Sequence, residues 1–273
     1  MTCPDCRTHK TGRCVSTVFA IVSIVGLPFY VEAAQAQLRE RPLAFVELRY
    51  PAEALAARTQ GVVVVQVSTD GGGRVVKAES VAGPTALATA AVANVQGWTL
   101  AAGPVIDWLV FRFEIDSGVC NDDNHSLFRL TRSNLAVITA CTGPGRRAGP
   151  AQTEAVPLRT LGRTPEYPPL ARSANIRGAV VLELSVDAKG AVTASRALND
   201  LPLLGPTAVA HSRTWQAWPG GPAKGIVVYE FALENWACEQ ETLTVFARVA
   251  ADYVRLSGCV PVAQRSESLA HEP

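Results

Sequence analysis

Cysteine and histidine residues near the N terminus have the spacing of a metal site. Cys3, Cys6, His9 and Cys14 supply a Cys-x-x-Cys pair, a histidine and a third cysteine, which are ligand types that zinc prefers. The competing interpretation, which we favour, is the charged start of a signal sequence of accidental composition. A c-type haem is not indicated, since Arg7 and not a histidine follows the second cysteine. We therefore expect no metal and no cofactor.

The other polar residues form no catalytic pattern. His125 and His211 are isolated in the sequence, and we interpret His211 as a surface or helix-end residue. Asp122 and Asp123 are interpreted as solvated loop charges, with calcium binding as a remote alternative. No glycine-rich loop has the spacing of a phosphate site. The sequence therefore predicts a protein that is not an enzyme.

Composition limits the class of protein and of partner. The chain has 273 residues, enough for two small domains, with 48% hydrophobic and 18% charged residues. The net charge of +1 favours neither nucleic acid nor an acidic surface as a partner. We expect folded domains that do not bind nucleic acid.

The first 36 residues have the layout of an export signal. Basic residues precede an apolar run at 15–31, and Ala34-Gln35-Ala36 follows as an A-x-A cleavage site. The run has 17 residues and is broken by a glycine and a proline, which makes it marginal for a membrane span. We expect residues 1–36 to be removed as a signal peptide. The alternative is an uncleaved N-terminal anchor.

Residues 167–234 alternate between helix and strand signals. Pro168 and Pro169 suit the first turn of a helix, and Gly178 ends it. Apolar side chains at every second position from 180 to 186 predict a strand, and Asp187-Ala188-Lys189-Gly190 predicts a hairpin turn. A return strand, a second helix ending near Trp215 and an apolar strand at 225–233 complete the order αββαβ. Trp215 is interpreted as a core residue under the second helix.

The same pattern occurs once more, 117 to 118 residues earlier. Tyr50-Pro51-x-x-Ala54 matches Tyr167-Pro168-x-x-Ala171, and the turn at Asp70-x-x-Gly73 matches the turn at Asp187-x-x-Gly190. A single period of this length indicates two duplicated domains and not a solenoid.

Both stretches resemble the C-terminal domain of TonB, the periplasmic energy transducer of Gram-negative bacteria. The marks that carry the resemblance in the second copy are Tyr167-Pro168-x-x-Ala171, Gly178-x-Val180, Asp187-x-x-Gly190-x-Val192, Trp215-x-x-x-Pro219 and Gly225-Ile226-Val227-Val228. The resemblance implies an α+β fold of two tandem αββαβ domains, each an antiparallel sheet with helices on one face. No histidine lies at 15–31 and no long proline-rich spacer is present, which are departures from the motor-coupled transducers.

Each repeat continues into an extension that is not part of the TonB-like pattern, which makes it either this protein's own addition or a trait of a subfamily. Cys120 and Cys141 flank two short apolar strands, and Cys238 and Cys259 flank two more, with 21 positions between the members of each pair. Equal spacing in an exported chain predicts one disulfide-closed β-hairpin per repeat. The expected organisation is domain 1 at 41–141, a Gly/Pro/Arg linker at 142–165, domain 2 at 166–262 and a flexible tail at 263–273.

The resemblance also implies a function and a location. TonB-like domains bind a segment of an outer-membrane receptor by adding a β-strand to the edge formed by their third strand. We therefore expect a periplasmic protein that binds envelope proteins, including TonB-dependent outer-membrane receptors, in TonB-dependent transport. The alternative is a periplasmic scaffold or envelope-assembly adaptor without energy coupling; if uncleaved, the protein is anchored in the inner membrane by residues 15–31.

The expected binding edge lies in the second repeat. The αββαβ topology predicts the strand order second, first, third, which leaves one side of the third strand open. Short connections favour pairing of sequential strands, so the appended hairpin is predicted to extend the sheet beside the third strand. The new edge is then expected near 253–257. The predicted partner-binding residues are Ile226, Val228, Glu230, Ala232, Tyr253, Arg255 and Ser257.

Overall fold

The computed structural model of the chain describes residues 42, 44–100, 106–116, 126–131, 134–141, 158–160, 162–199, 201–220, 222–234, 244–250 and 252–259. The predicted signal peptide, the N-terminal cysteines, Cys120, Asp122, Asp123, His125, Cys238 and the tail lie outside these ranges. None of the described helices is long and apolar enough to span a membrane. Within the described ranges, no group of three or more His, Cys, Asp or Glu side chains could hold a metal ion.

The first repeat follows the predicted order and then adds two strands. Its elements are helix α1 (Ala52–Ala56), strands β1 (Gly61–Thr69) and β2 (Val75–Ala82), helix α2 (Thr85–Val95), and strands β3 (Ile106–Asp116), β4 (Ser126–Leu130) and β5 (Leu135–Cys141).

The second repeat has the same elements with one addition. They are helix α3 (Pro169–Ser173), strands β7 (Gly178–Val186) and β8 (Val192–Ala197), helix α4 (Gly205–Ser212), and strands β10 (Ala223–Glu234), β11 (Thr244–Ala250) and β12 (Tyr253–Cys259). Two short strands, β6 (Leu158–Thr160) and β9 (Gln216–Ala217), pair with each other. The end of the predicted linker is therefore attached to the second repeat by strand pairing.

Each repeat forms one five-stranded sheet. The strand orders are β2-β1-β3-β5-β4 and β11-β12-β10-β7-β8. The predicted order of second, first and third strand is confirmed, and in both repeats the hairpin extends the sheet beside the third strand. The predicted antiparallel pairing of the first three strands is also confirmed in both repeats, whereas the appended hairpin joins in parallel, β5 with β3 and β12 with β10.

The tyrosine and glycine of the repeated motifs have local structural roles. The Tyr50 hydroxyl donates to the Thr59 carbonyl and the Tyr167 hydroxyl donates to the Ile176 carbonyl, each at 2.6 Å, just before the first strand of its repeat. Gly190 in the hairpin turn has φ 88°, and a Cβ there would lie 2.2 Å from the Ala217 carbonyl oxygen. A side chain at this position would both strain the turn and collide with β9.

The helices of each repeat cover one face of its sheet. In the second repeat, Trp215, Tyr229, Phe231 and Leu204 belong to the core between helices and sheet, and Trp98, Phe111 and Leu87 belong to the corresponding core of the first. The expectation that Trp215 is a core residue is confirmed. His211 lies in the last turn of α4, as one of its two interpretations predicted, but the surface interpretation is wrong, since it is buried and its Nδ1 lies 2.8 Å from the Tyr229 hydroxyl.

The opposite faces of the two sheets pack against each other. A third apolar cluster contains residues from both repeats: Val62, Val64, Val110, Leu135 and Val137 from the first, and Ala179, Val181, Val228 and Tyr253 from the second. Four of these positions are equivalent in the two repeats, pairing residue 62 with 179, 64 with 181, 110 with 228 and 135 with 253. The chain therefore folds as a sandwich of two like sheets with helices on both outer sides.

The hairpins end in cysteines. Cys141 and Cys259 are the last residues of β5 and β12, and both are disulfide-bonded. Cys120 and Cys238, their predicted partners, lie outside the described residues, so the pairing stays a prediction.

Peptide mapping without reduction tests the disulfide pairing. We expect Cys120–Cys141 and Cys238–Cys259, because each bond closes a loop of about 20 residues, worth roughly 3 kcal/mol by the chain-entropy estimate. A peptide that links the two repeats would contradict this pairing. Reduction should lower the midpoint of urea unfolding without changing the strand content measured by circular dichroism.

Candidate partner-binding site

The predicted partner-binding residues lie on interior strands. β10, which contains Ile226, Val228, Glu230 and Ala232, pairs with β7 on one side and with β12 on the other. β12, which contains Tyr253, Arg255 and Ser257, pairs with β10 and with β11. The prediction that residues 253–257 form the new edge is wrong, because the hairpin attaches through its second strand and places its first strand outside.

The outer strands among the described residues are β2, β4, β8 and β11. Edge strands resist pairing with other chains when they are short, bulged or charged. β4 has five residues and β8 six, and β2 carries the ion pair of Lys77 with Glu79 at 2.8 Å. β11 has seven residues with one charged side chain, Arg248. The pairing of β11 with β12 is irregular between Arg248 and Ala250, so the regular part of β11, at 244–248, is the stretch best suited to accept a partner strand.

The direction of the β11 amides follows from the sheet register. The Val228 amide donates to the Asp252 carbonyl at 2.8 Å, so Asp252 and every second residue of β12 face β10. The residues between them face β11 and pair there with Val245 and Ala247. The amides of Thr244 and Phe246 therefore point away from the sheet. Val245 and Val249 are each 48% exposed on the same strand.

A buried ion pair joins the two sheets. Arg112 of β3 donates through Nη1 to Glu230 of β10 at 2.7 Å, and the side chains are 10% and 7% exposed. The Tyr253 hydroxyl donates to the same carboxylate oxygen at 2.6 Å. Burial, and then the charge of Glu230, raise the pKa of Tyr253 well above its ordinary value, which keeps the phenol protonated as a donor. Arg112 also contacts Glu114 at 2.7 Å.

A second polar contact across the interface involves Asn134. Its amide nitrogen donates to the carbonyls of Trp108 and Ala179 at 2.8 and 3.0 Å, and its oxygen accepts from the Ala179 amide at 3.1 Å. The Asn134 side chain of the first repeat thus hydrogen-bonds both the backbone amide and the backbone carbonyl of Ala179 in the second repeat. The equivalent residue in the second repeat is Asp252, which lacks the donor.

Asp252 is buried as a carboxyl group at the turn between β11 and β12. It is 7% exposed, and no hydrogen-bond partner for its Oδ1 is found within the described ranges. Burial raises its pKa to about 6, against smaller opposing effects of its own backbone and Arg248. Glu183 and Lys224 line the same cavity. The ionised form is therefore destabilised in the folded protein at neutral pH.

Sequence reasoning missed the residues of this interface, although signals for them existed. Val62 to Val65 are four consecutive apolar residues, and all are buried. Such a run is typical of a strand covered on both faces, and it was interpreted only through its alternating half. Arg112 and Glu230 are separated by 118 positions, which equals the offset between the repeats. The sequence therefore shows opposite charges at two equivalent positions.

Comparison with known proteins identifies the first repeat. Residues 46–107 match the family model described as Gram-negative bacterial TonB protein C-terminal. This part of the chain is similar to the TonB C-terminal domain, a periplasmic domain of Gram-negative bacteria that interacts with proteins of the cell envelope. The match runs from α1 to the first residues of β3. No curated protein and no solved structure matches the chain.

The family match does not extend to the second repeat, which is related to the first repeat by its structure. It has the same order of elements, the same sheet order and the same turn hydrogen bonds, in which Asp70 and Asp187 each accept from two amides at 2.9 Å. Its membership of the family remains the interpretation drawn from the sequence.

Substitution of Arg112 and Glu230 should show how strongly the contributions of these two side chains to stability are coupled. Arg112→Met removes the nearer of the two cations that contact the buried Glu230 and leaves only Arg255 at 3.6 Å, so we expect the unfolding free energy to fall by about 3 to 5 kcal/mol. The double variant Arg112→Met/Glu230→Leu should recover most of that loss, because an apolar pair replaces both charges. Urea unfolding measures both, with Lys77→Met as the exposed control at about 0 to 1 kcal/mol. Additive losses in the double variant would contradict the coupling.

The Asp252 carboxyl should make stability depend on pH. Its folded pKa of about 6 lies above the unfolded value of 3.8, so the folded state binds the proton more tightly. Stability is then highest below pH 3.8 for this group and decreases as pH rises through 6. Asp252→Asn should stabilise the protein by about 1 to 3 kcal/mol at neutral pH and have little effect at acidic pH.

The reciprocal substitution provides the matched control. Asn134→Asp removes the side-chain donor to the Trp108 carbonyl and one of the two side-chain donors to the Ala179 carbonyl, the other being Asn199, and we expect it to destabilise the protein most at neutral pH. Urea unfolding across the acidic to neutral range measures both variants. An Asp252→Asn effect that does not vary with pH would contradict the assignment.

Proposed function

We propose that the protein is a periplasmic TonB-like protein that binds envelope proteins by β-strand addition at the β11 edge. Three observations support this proposal: the family of residues 46–107, the coverage of both third strands by the appended hairpins, and the exposed amides and valines of β11. The coverage of the third strand carries the most weight, because it moves the available edge outward by two strands on the side where TonB-like domains bind receptors.

The partner class that best fits the proposal is the TonB-dependent outer-membrane receptor. An extended receptor segment would pair with Thr244 and Phe246 through its backbone and would contact Val245 and Val249 through apolar side chains. Binding by main-chain hydrogen bonds depends weakly on the sequence of the partner, so several receptors are compatible with one edge. No catalytic step is part of this function.

The second candidate is a periplasmic scaffold without energy coupling. It is favoured by the same coverage of the third strand, since the edge that receptors use in the family is already paired with the chain itself. The buried interface between the repeats also supports a rigid double domain. A scaffold would bind envelope proteins other than TonB-dependent receptors.

Charged substitutions on the edge test the proposal. Val245→Asp/Val249→Asp places two carboxylates beside the β11 backbone, which opposes strand pairing. We expect capture of TonB-dependent receptors from solubilised outer membrane to decrease by about tenfold or more, equivalent to roughly 1.4 kcal/mol. Val76→Asp/Val81→Asp is the matched control, because it changes two exposed valines on the β2 edge of the other repeat.

Amide hydrogen exchange on the complex distinguishes the outcomes. A bound receptor peptide should slow exchange at Thr244 and Phe246 and leave β2 unchanged. Loss of capture with the β2 variant alone would place the partner on the other repeat and contradict the proposal. Capture of envelope proteins without any TonB-dependent receptor would favour the scaffold.

A further inference from the structure

The turns that precede β5 and β12 are equivalent and are attached to their own repeats in the same way. Asn134 lies in the first turn and Asp252 in the second, and both residues are buried. The Val110 amide donates to the Asn134 carbonyl and the Val228 amide donates to the Asp252 carbonyl, each at 2.8 Å. The backbone anchors of the two turns are thus the same, and their side chains differ.

The Asn134 side chain also ties its turn to the other repeat. It hydrogen-bonds both the carbonyl and the amide of Ala179. For Asp252, no side-chain hydrogen bond to the first repeat is found within the described ranges, and its Oδ1 has no partner there. In that part of the chain, the turn before β12 therefore lacks the tie that holds the turn before β5.

A proton on the carboxyl group changes which hydrogen bonds Asp252 is able to make. The ionised group only accepts hydrogen bonds, whereas the protonated group has one O–H donor. At the equivalent place, Asn134 donates to two backbone carbonyls. Only the protonated form of Asp252 is able to make a bond of that kind.

A cavity of about 260 Å³ lies beside Asp252 and between the two repeats. The first repeat lines it with residues 81–83 at the end of β2, and the second with Glu183, Asp252 and residues 224–226. The space is large enough for water molecules, and polar groups are present in its lining. A movement of the turn toward this cavity would hydrate the carboxylate.

The charged groups near Asp252 leave its pKa raised. Glu183 on β7 and Lys224 on β10 line the same cavity, and Arg248 lies on β11. No ion pair between Lys224 and Asp252 is found in the described residues, and the lining from the first repeat carries no charge. Burial is the largest influence on the pKa of Asp252 and raises it, whereas its own backbone and Arg248 lower it by less.

The strand that leads into the turn is irregular close to it. The register of β11 with β12 shifts between Arg248 and Ala250. Val249, between these two residues, is 48% exposed. Segments with interrupted pairing and exposed residues open at a lower free energy than the core strands around them. The turn is therefore joined to a part of the sheet that is able to open locally.

We propose that the Asp252 turn, between β11 and β12, is a proton-controlled latch between the two repeats. It docks against the first repeat while the carboxyl group is protonated, and it opens toward the cavity when the proton passes to solvent. The pKa is about 6 in the docked state against an ordinary value of 3.8, so docking is strongest below pH 3.8 and weakens as pH rises through 6. The latch concerns the docking of the turn and does not depend on what binds at the β11 edge.

Amide hydrogen exchange of the full-length protein tests the latch. The reporter is the Val228 amide, which is hydrogen-bonded to the Asp252 carbonyl, and the internal control is the Val110 amide in the equivalent bond to Asn134. After correction for the intrinsic exchange rate, we expect the opening equilibrium at Val228 to rise about tenfold between about pH 5 and pH 7.5. The equilibrium at Val110 should change much less, because Asn134 does not titrate.

Three variants identify the group that titrates. Asp252→Asn should remove the pH dependence at Val228, and Asn134→Asp should introduce one at Val110. Glu183→Gln is the matched control, because it removes the other carboxyl group of the cavity and should leave the pH dependence at Val228 in place. The comparison of Val228 with Val110 in the unmodified protein remains decisive if a variant does not fold.

Three results would overturn the proposal. The first is an opening equilibrium at Val228 that does not vary with pH. The second is a change of equal size at Val228 and Val110, which would indicate unfolding of the whole protein and not of one turn. The third is a pH dependence at Val228 that persists in Asp252→Asn or disappears in Glu183→Gln.

Discussion

The contact between the inner faces of the two sheets is the interaction on which the rest of the structure depends. Equivalent positions of both repeats form this contact. Each repeat therefore covers the apolar inner face of the other, which a separate repeat would have to bury against another chain. Within this contact, Arg112 lies opposite Glu230, and the two residues occupy equivalent positions of the repeats. Two identical repeats would have brought like charges together. The opposite signs make this interface specific for two different repeats in one chain.

That interface limits where another protein is able to bind. Helices cover the outer face of each sheet, the other repeat covers the inner face, and the appended hairpin covers the third strand. In the described part of the chain, the outer edges and the clefts at the ends of the interface remain. The hairpin thus covers the third strand of each repeat, and on that side the outermost strand of each sheet belongs to the hairpin.

The elements of each repeat could be predicted from the sequence because local signals specify them. Alternating apolar residues, the Asp-x-x-Gly turns and the prolines before the helices identify the αββαβ order, and the strand order followed from topology. The attachment of the hairpin could not be predicted in the same way. A short connection favours pairing of neighbours in sequence, yet β12 pairs with β10 and β11 pairs with the outer side of β12. The burial of His211 could not be predicted from local signals either, because it depends on the contacts of its side chain with Tyr229 and Trp215.

The most informative positions are those at which the repeats differ in polarity. Gln60 provides a hydrogen-bond acceptor where the equivalent Arg177 provides donors only. Asn134 has a donor that the equivalent Asp252 lacks, and Arg112 is opposite in charge to the equivalent Glu230. A symmetric dimer of one chain cannot hold such differences, because every substitution would appear on both sides of the interface. Covalent linkage of two copies removes that constraint. It lets Gln60 accept a hydrogen bond from the Ile115 amide while the equivalent residue, Arg177, donates to Asn175.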